Sequence, residues 1–165
     1  MMQYIVILLD DASVSFCHYG NTKANSRLMP LDTLKAGILY AIKENLNIQF
    51  VYPDHPLPKE HEETIDSVDH TDIKPAACAN DADVIVFNGI EELKSAAELR
   101  NGVSCLLRTD RLMLFNHVEE ICPILHRAER LNIVITDLEA FTENDFAAYS
   151  KVLSILAKEV ENVYV

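Results

Sequence analysis

The sequence predicts an α/β fold: a mostly parallel sheet of five or six strands with helices on both faces, in a flavodoxin-like or Rossmann-like arrangement. Residues 4–9 form an unbroken apolar run that stops at Asp10 and Asp11. Runs of this kind are typical of central parallel strands, because helices cover both of their faces. Further apolar runs alternate with helical patterns along the chain, which indicates right-handed βαβ units. An incomplete βα barrel is the alternative that the same alternation allows.

The remaining predicted strands are short apolar runs bounded by polar or turn residues. They cover residues 48–52, 84–87, 103–107 and 133–135. Residues 163–165 either form a short edge strand or are the start of a sixth strand that is cut off early, and we expect the second because strands usually run for roughly five to six residues. We therefore expect residues 1–165 to form a single α/β domain that is the N-terminal portion of a longer protein.

Helices are predicted where apolar residues recur at spacings of three and four. The pattern covers residues 30–46, 59–67, 91–100 and 116–131. Asn116 is the predicted cap of the fourth of these helices, which contains Pro123. The last helix is expected to begin at Thr142, with Asp145 placed to complete a capping box. In the proline-rich, acidic stretch at residues 53–75, the segment 53–58 is expected to be an extended turn.

The composition is that of an ordinary globular chain with a strongly acidic balance. Hydrophobic residues make up 49% of the 165 residues, charged residues make up 24%, and the net charge is −12. Such a charge repels phosphate backbones and anionic lipids, so we expect neither nucleic acid nor a membrane as a partner. No apolar run reaches the ~20 residues of a membrane span, and the start lacks the pattern of a signal peptide.

The cysteines and histidines do not form a recognisable metal motif. The cysteines are Cys17, Cys78, Cys105 and Cys122. They are widely separated, whereas zinc and iron–sulfur sites use closely spaced cysteines. The histidines between residues 55 and 70 also lack the spacing of a helical ligand pair. We therefore expect no metal site of this kind in the chain, and a reducing, cytoplasmic location.

Two carboxylates follow the first strand, at the edge where parallel sheets collect ligands. Asp10 and Asp11 have the oxygen ligands that Mg²⁺ prefers, and the response-regulator receiver domain uses such a pair. A receiver also needs a phospho-accepting aspartate after its third strand, where this chain has Asn88, and a lysine after its fifth, where Thr136 and Asp137 stand. The alternative is that Asp11 caps the loop that follows it.

A long loop and the ends of later strands supply further candidate residues. The loop at residues 10–29 exceeds the roughly two to six residues usual between a strand and a helix, and its aromatic and basic side chains suit a peptide. The polar residues after the later strands should line the same sheet edge, although turn chemistry explains each of them singly. The predicted ligand- or peptide-binding residues are Asp10, Asp11, Phe16, His18, Tyr19, Arg27, Asp54, Asn88 and Arg108. Because no phosphate loop, nucleophile elbow or dinucleotide fingerprint is present, no catalytic residue is assigned.

Two segments carry a resemblance to a known family. They are YIVILLDDASVSFCHYGN at residues 4–21 and PLDTLKAGILYAIKENLNIQFVYPDHPLP at residues 30–58. Both resemble the start of the CXXX repeat peptide maturases, bacterial proteins of Bacteroides-type anaerobes that are encoded beside Cys-x-x-x precursor peptides and radical SAM enzymes. The resemblance implies a role in maturing ribosomally made peptides, with a precursor peptide or a partner maturase as the binding partner.

Two classes of function remain open. Radical SAM chemistry needs a Cys-x-x-x-Cys-x-x-Cys run, which this chain lacks. An iron–sulfur cluster and S-adenosylmethionine are therefore expected only in a missing region or a partner, and this chain is expected to be a non-catalytic accessory domain without its own cofactor. The alternative is a small independent α/β enzyme or a Mg²⁺-dependent, receiver-like sensor that uses Asp10 and Asp11.

Overall fold

A computed structural model describes residues 2–10, 27–78, 81–96 and 98–165 of the chain. The chain divides into two compact units, Met1–Asp83 and Val84–Val165. In both units strands alternate with helices, and the paired strands within each unit run parallel. None of the helices in the described ranges combines the length and the apolar character needed to span a lipid bilayer.

The first unit contains three strands and two α-helices within its described residues. They are β1 (Tyr4–Leu8), α1 (Leu31–Lys43), β2 (Asn47–Val51), α2 (Lys59–Asp66) and β3 (His70–Pro75). β2 lies between β1 and β3 and pairs with both. Residues of both helices and of the sheet share one core, in which Leu34, Phe50 and Ile65 are fully buried.

The second unit contains four strands and three α-helices within its described residues. They are β4 (Val84–Asn88), α3 (Ile90–Ser95), β5 (Val103–Thr109), α4 (Arg111–Leu125), β6 (Ala128–Ile135), α5 (Glu143–Glu159) and β7 (Asn162–Tyr164). Each strand pairs with the next one in the chain, from β4 to β7. Phe87, Leu107, Ile121 and Leu131 are fully buried, which places the core between the sheet and its helices.

The predicted α/β class with parallel strands is confirmed, with seven strands in the described residues where five or six were expected. The strand order within each unit is consecutive. A flavodoxin-like order would place the first strand between the second and the third, whereas in the first unit β2 holds that central place. βα barrels have their strands in consecutive order. An incomplete βα barrel is the alternative fold that the alternation of strands and helices in the sequence allowed.

The prediction that β1 is a central strand covered on both faces is wrong. β1 lies at the edge of its sheet, where β2 is its partner among the described strands. The side chains of Tyr4, Val6 and Leu8 are 52%, 43% and 39% exposed, whereas Ile7 is buried in the core. Because the exposed positions of β1 are also apolar, the sequence lacks the alternation that would identify a one-sided strand.

Two other boundaries differ from the sequence prediction. β3 lies in the proline-rich, acidic stretch at residues 53–75, where no strand was predicted, because its half-buried polar residues hide the apolar pattern of a strand. α4 is capped by Asp110 and not by Asn116, and it ends at Leu125 after containing Pro123. The residues from 128 to 131 belong to β6, so the fourth predicted helix ran too far. The capping box that joins Thr142 and Asp145 at the start of α5 is confirmed.

Candidate functional site

A pocket of about 440 Å³ lies at the carboxyl ends of the strands in the second unit. β4 ends at Asn88 and β5 ends at Thr109, and Asn88 pairs with Arg108 across the two strands. Paired residues of a parallel sheet project to the same side, so these two side chains are brought together by strand register. The lining residues are Asn88, Gly89, Ile90, Glu91, Arg108, Thr109, Asp110, Met113 and Thr136.

Arg108 is the residue of this pocket whose charge is left uncompensated. Its Nε atom is buried and has no hydrogen-bond partner in the described part of the chain. No carboxylate of the described residues forms an ion pair with its guanidinium, although the protein has 26 acidic residues. Burial of an unpaired polar or charged group is costly, so this arrangement favours a ligand that supplies acceptor oxygens.

Most other polar groups of the pocket are already used by the fold. The carboxylate of Asp110 accepts a hydrogen bond from the Met113 backbone N–H at 3.0 Å and so caps α4. The hydroxyl of Thr109 donates to the Asp110 carbonyl at 3.1 Å, and the backbone N–H of Asn88 donates to the Glu92 carboxylate. The pocket lining contains neither cysteine nor histidine, and besides Arg108 and Asn88 it carries the Glu91 carboxylate, which lies 3.4 Å from Lys94 Nζ.

Asp137, which also follows a strand, has a structural role. Its carboxylate accepts a hydrogen bond from the Arg111 backbone N–H at 2.9 Å and forms an ion pair with the Arg111 guanidinium. The same guanidinium lies 3.4 Å from the Asp145 carboxylate. The pKa of Asp145 is lowered chiefly by hydrogen bonds from the backbone and hydroxyl of Thr142, and then by Arg111. These contacts fasten the start of α4 to the start of α5.

Asp10 in the first unit is 2% exposed and contacts a histidine that the sequence did not suggest. His55 Nε2 donates to Asp10 Oδ2 at 2.9 Å, and His55 Nδ1 faces the Pro56 carbonyl at 3.2 Å. Both ring nitrogens therefore face acceptors, which favours the doubly protonated imidazolium. The pKa of His55 is raised above its ordinary value, first by the hydrogen bond to Asp10 and then by that to Pro56.

The predicted site residues fall into three groups. Asn88 and Arg108 meet in the pocket of the second unit. Asp10 and Arg27 line a smaller pocket of about 320 Å³ in the first unit, and Asp54 is an exposed neighbour of His55 in the chain. The residues that lie outside the described part of the chain are Asp11, Phe16, His18 and Tyr19.

Sequence reasoning missed a polar cluster formed by one face of β3 and by Tyr52, which follows β2. Asp72 lies 3.1 Å from His70 Nε2 and 3.3 Å from Lys74 Nζ, and the Lys74 ammonium lies 4.6 Å from the centre of the Tyr52 ring. Burial, followed by a hydrogen bond to Asp72, raises the pKa of Tyr52 far above its ordinary value, so its hydroxyl stays protonated. The spacing of two between His70, Asp72 and Lys74 was the available signal, because alternate strand residues share a face.

Metal ligation has little support from the described residues. Within the ranges that the structure describes, no three histidine, cysteine, aspartate or glutamate side chains are grouped so as to hold a metal ion. Asp10 could be one ligand, yet one of its oxygens already accepts the hydrogen bond from His55. The Mg²⁺-dependent function therefore stays a prediction that depends on Asp11.

Raising the pH from about 6 to about 8.5 is expected to reduce the stability that His55 contributes. The unfolded pKa of histidine is about 6.5, and the folded pKa of His55 is higher. The contribution is therefore fully present below the unfolded value and is lost as the pH rises through the folded value. Urea midpoints of the wild type and His55→Gln should differ more at the lower pH. Solvent screening limits the size of the effect, because the His55 side chain is 44% exposed.

The variant Asp10→Asn provides the control for this experiment. Without the carboxylate, the difference between histidine and glutamine at position 55 should lose most of its pH dependence. A difference that grows with rising pH would contradict the contact between His55 and Asp10.

Comparison with known proteins does not assign this site to a family. No protein-family model matches the chain. No curated protein and no solved structure matches it either.

Proposed function

We propose that this chain is a cytoplasmic, peptide-binding accessory domain of a CXXX repeat peptide maturation system, and that its pocket at Arg108 binds a carboxylate of the peptide. The resemblance of residues 4–21 and 30–58 to these maturases supports the peptide-maturation role. The observation that carries the binding role is the buried Nε of Arg108, which has no hydrogen-bond partner among the described residues and lies in a pocket of about 440 Å³.

A peptide carboxylate suits this pocket for three reasons. A guanidinium presents a planar fork of N–H donors that matches the two oxygens of a carboxylate. The Asn88 side chain, brought beside Arg108 by strand register, can donate to and accept from a peptide backbone. A peptide also brings fewer charges than a nucleic acid, which matters because the protein carries a net charge of −12.

The proposed role requires no catalysis by this chain. In the proposal, an iron–sulfur cluster and S-adenosylmethionine belong to a partner maturase or to a further region of the protein. The chain then holds the precursor peptide while the partner acts on it.

Arg108→Gln is expected to weaken binding of a Cys-x-x-x repeat peptide by about 10- to 100-fold. A hydrogen bond to a charged group contributes about 1.5–3 kcal/mol, and 1.4 kcal/mol corresponds to a tenfold change in affinity. Isothermal titration calorimetry with the wild type and the variant measures this loss. A peptide of the same sequence with an amidated C-terminus should bind the wild type more weakly if its terminal carboxylate is the group that is held.

Arg130→Gln is the matched control, because Arg130 is an exposed arginine of the same sheet whose guanidinium lies 5.3 Å from the centre of the Tyr164 ring. Its affinity should stay within about twofold of the wild type, since exposed charges contribute little. Equal affinity of Arg108→Gln and the wild type would overturn the proposed site. Binding of Mg²⁺ together with no binding of the peptide would favour the sensor alternative.

A further inference from the structure

A groove of about 790 Å³ lies between α1 and α2 in the first unit. α1 contributes four apolar residues to the groove, and successive members are seven, one and three positions apart. They are Leu31, Ile38, Leu39 and Ile42. Leu39 is 67% exposed and Ile42 is 59% exposed, which is unusual for neighbouring large apolar residues on one stripe of a helix.

The opposite wall of the groove is acidic. α2 supplies Glu60 and Glu63, and the whole helix carries four acidic residues against the single lysine Lys59. Lys59 lies 3.4 Å from Glu63, but both side chains are mostly exposed, so this pair neutralises the wall only weakly. The groove therefore joins a mainly apolar wall on α1, which also carries Lys35, to a wall on α2 that carries two glutamates.

We propose that this groove binds an amphipathic α-helix of a partner protein, with its apolar stripe on α1 and its lysines or arginines along α2. Helix-in-groove recognition uses apolar anchors at spacings of three and four, which match the stripe of α1. The acidic wall selects a basic edge on the partner helix. This partner is distinct from the peptide proposed for the Arg108 pocket.

A second copy of the chain suits the groove less well. α1 has 13 residues and is therefore about 20 Å long, so two copies of α1 packed together would bury far less than the roughly 800 Å² per partner of a stable interface. Each copy would also bring a net charge of −12. Two such copies repel each other, whereas a basic helix is attracted to the acidic protein.

The probe for this site is a synthetic amphipathic helix of about 15 residues, long enough to approach helical stability alone. It carries leucine at spacings of three and four and lysine along one edge. Binding to the wild type is measured by fluorescence anisotropy. Leu39→Ser combined with Ile42→Ser should weaken binding by about tenfold or more, because anchors in the centre of a groove dominate affinity. Glu60→Gln combined with Glu63→Gln should weaken it and reduce its dependence on salt.

Tyr40→Ser is the matched control, because Tyr40 is 55% exposed on the same helix and does not line the groove. This variant should bind the probe like the wild type. The proposal is overturned if the double serine variant, with unchanged circular dichroism, binds normally, or if a peptide of the same composition with scattered leucines binds equally well. It is also overturned if the wild type alone sediments as a dimer that the double serine variant dissociates, because a second copy would then fill the groove.

Discussion

Replacing Leu34 with alanine is expected to lower the free energy of unfolding of the first unit by about 2–5 kcal/mol. Leu34 is 0% exposed and lies in the core formed by α1, β1 and β2, together with Ile7 and Phe50. The substitution removes three buried carbon atoms and leaves a cavity that the surrounding residues fill only in part. Urea unfolding followed by far-ultraviolet circular dichroism measures the loss, since the chain contains no tryptophan.

The same substitution at Leu39 provides the control on the same helix. Leu39 is 67% exposed, so Leu39→Ala should change the free energy of unfolding by no more than about 0.5 kcal/mol. A comparable loss of stability in the two variants would show that α1 does not present Leu34 to the core and Leu39 to the groove. The pair therefore also tests the exposed surface on which the proposed helix partner would bind.

The fold could be predicted from the sequence where pattern and burial agree. α1 and α5 have apolar residues at helical spacing, and β4 and β5 are apolar runs with buried side chains. The place of a strand within the sheet, by contrast, cannot be predicted from its apolar pattern. β1 is as apolar as β4, yet one face of β1 is exposed at the sheet edge, because the location of a strand depends on which other strands pair with it.

β3 was missed for a different reason, because its sequence lacks the apolar pattern of a strand. Its polar residues conceal a strand, because Asp72 contacts both His70 and Lys74 within the fold. Sequence periodicity detects apolar burial, whereas compensation between charges depends on contacts that exist only after folding. α4 likewise ends at Leu125 and β6 begins at Ala128, where the apolar spacing alone had suggested a longer helix.

The sequence could predict at which edge of the sheet the candidate site lies, but it could not predict which of its side chains are already bonded within the fold. Asn88 and Arg108 share an edge because each ends a parallel strand, and this follows from the α/β class alone. Sequence could not show that Asp110 and Asp137 are occupied by helix capping and by Arg111, while Arg108 forms no ion pair with the described residues. The contact of Asp10 with His55 also depends on the path of the chain after β2.

Replacing Gly89 with alanine is expected to destabilise the second unit by about 1–3 kcal/mol, because the backbone at this residue adopts a conformation that is nearly restricted to glycine. Gly89 has φ of 115° and ψ of 162° and joins the end of β4 to the start of α3. A Cβ built on it would meet no described atom within 4 Å, so the expected cost arises from the backbone and not from a clash. Because Gly89 lines the pocket beside Asn88, relaxation of this turn should also weaken peptide binding at Arg108.

Gly37→Ala should change stability in the opposite direction. Gly37 lies inside α1, where alanine is favoured over glycine by roughly 0.5–1 kcal/mol, and its Cβ would lie 3.5 Å from Ile7 Cδ1, an ordinary contact distance. Thermal and urea unfolding of both variants should therefore show a gain for Gly37→Ala and a loss for Gly89→Ala. A stable Gly89→Ala variant that still binds peptide would mean that the turn at the pocket accepts another backbone conformation. The opposite signs matter because a general effect of replacing glycine, acting through the unfolded chain, would move both variants the same way.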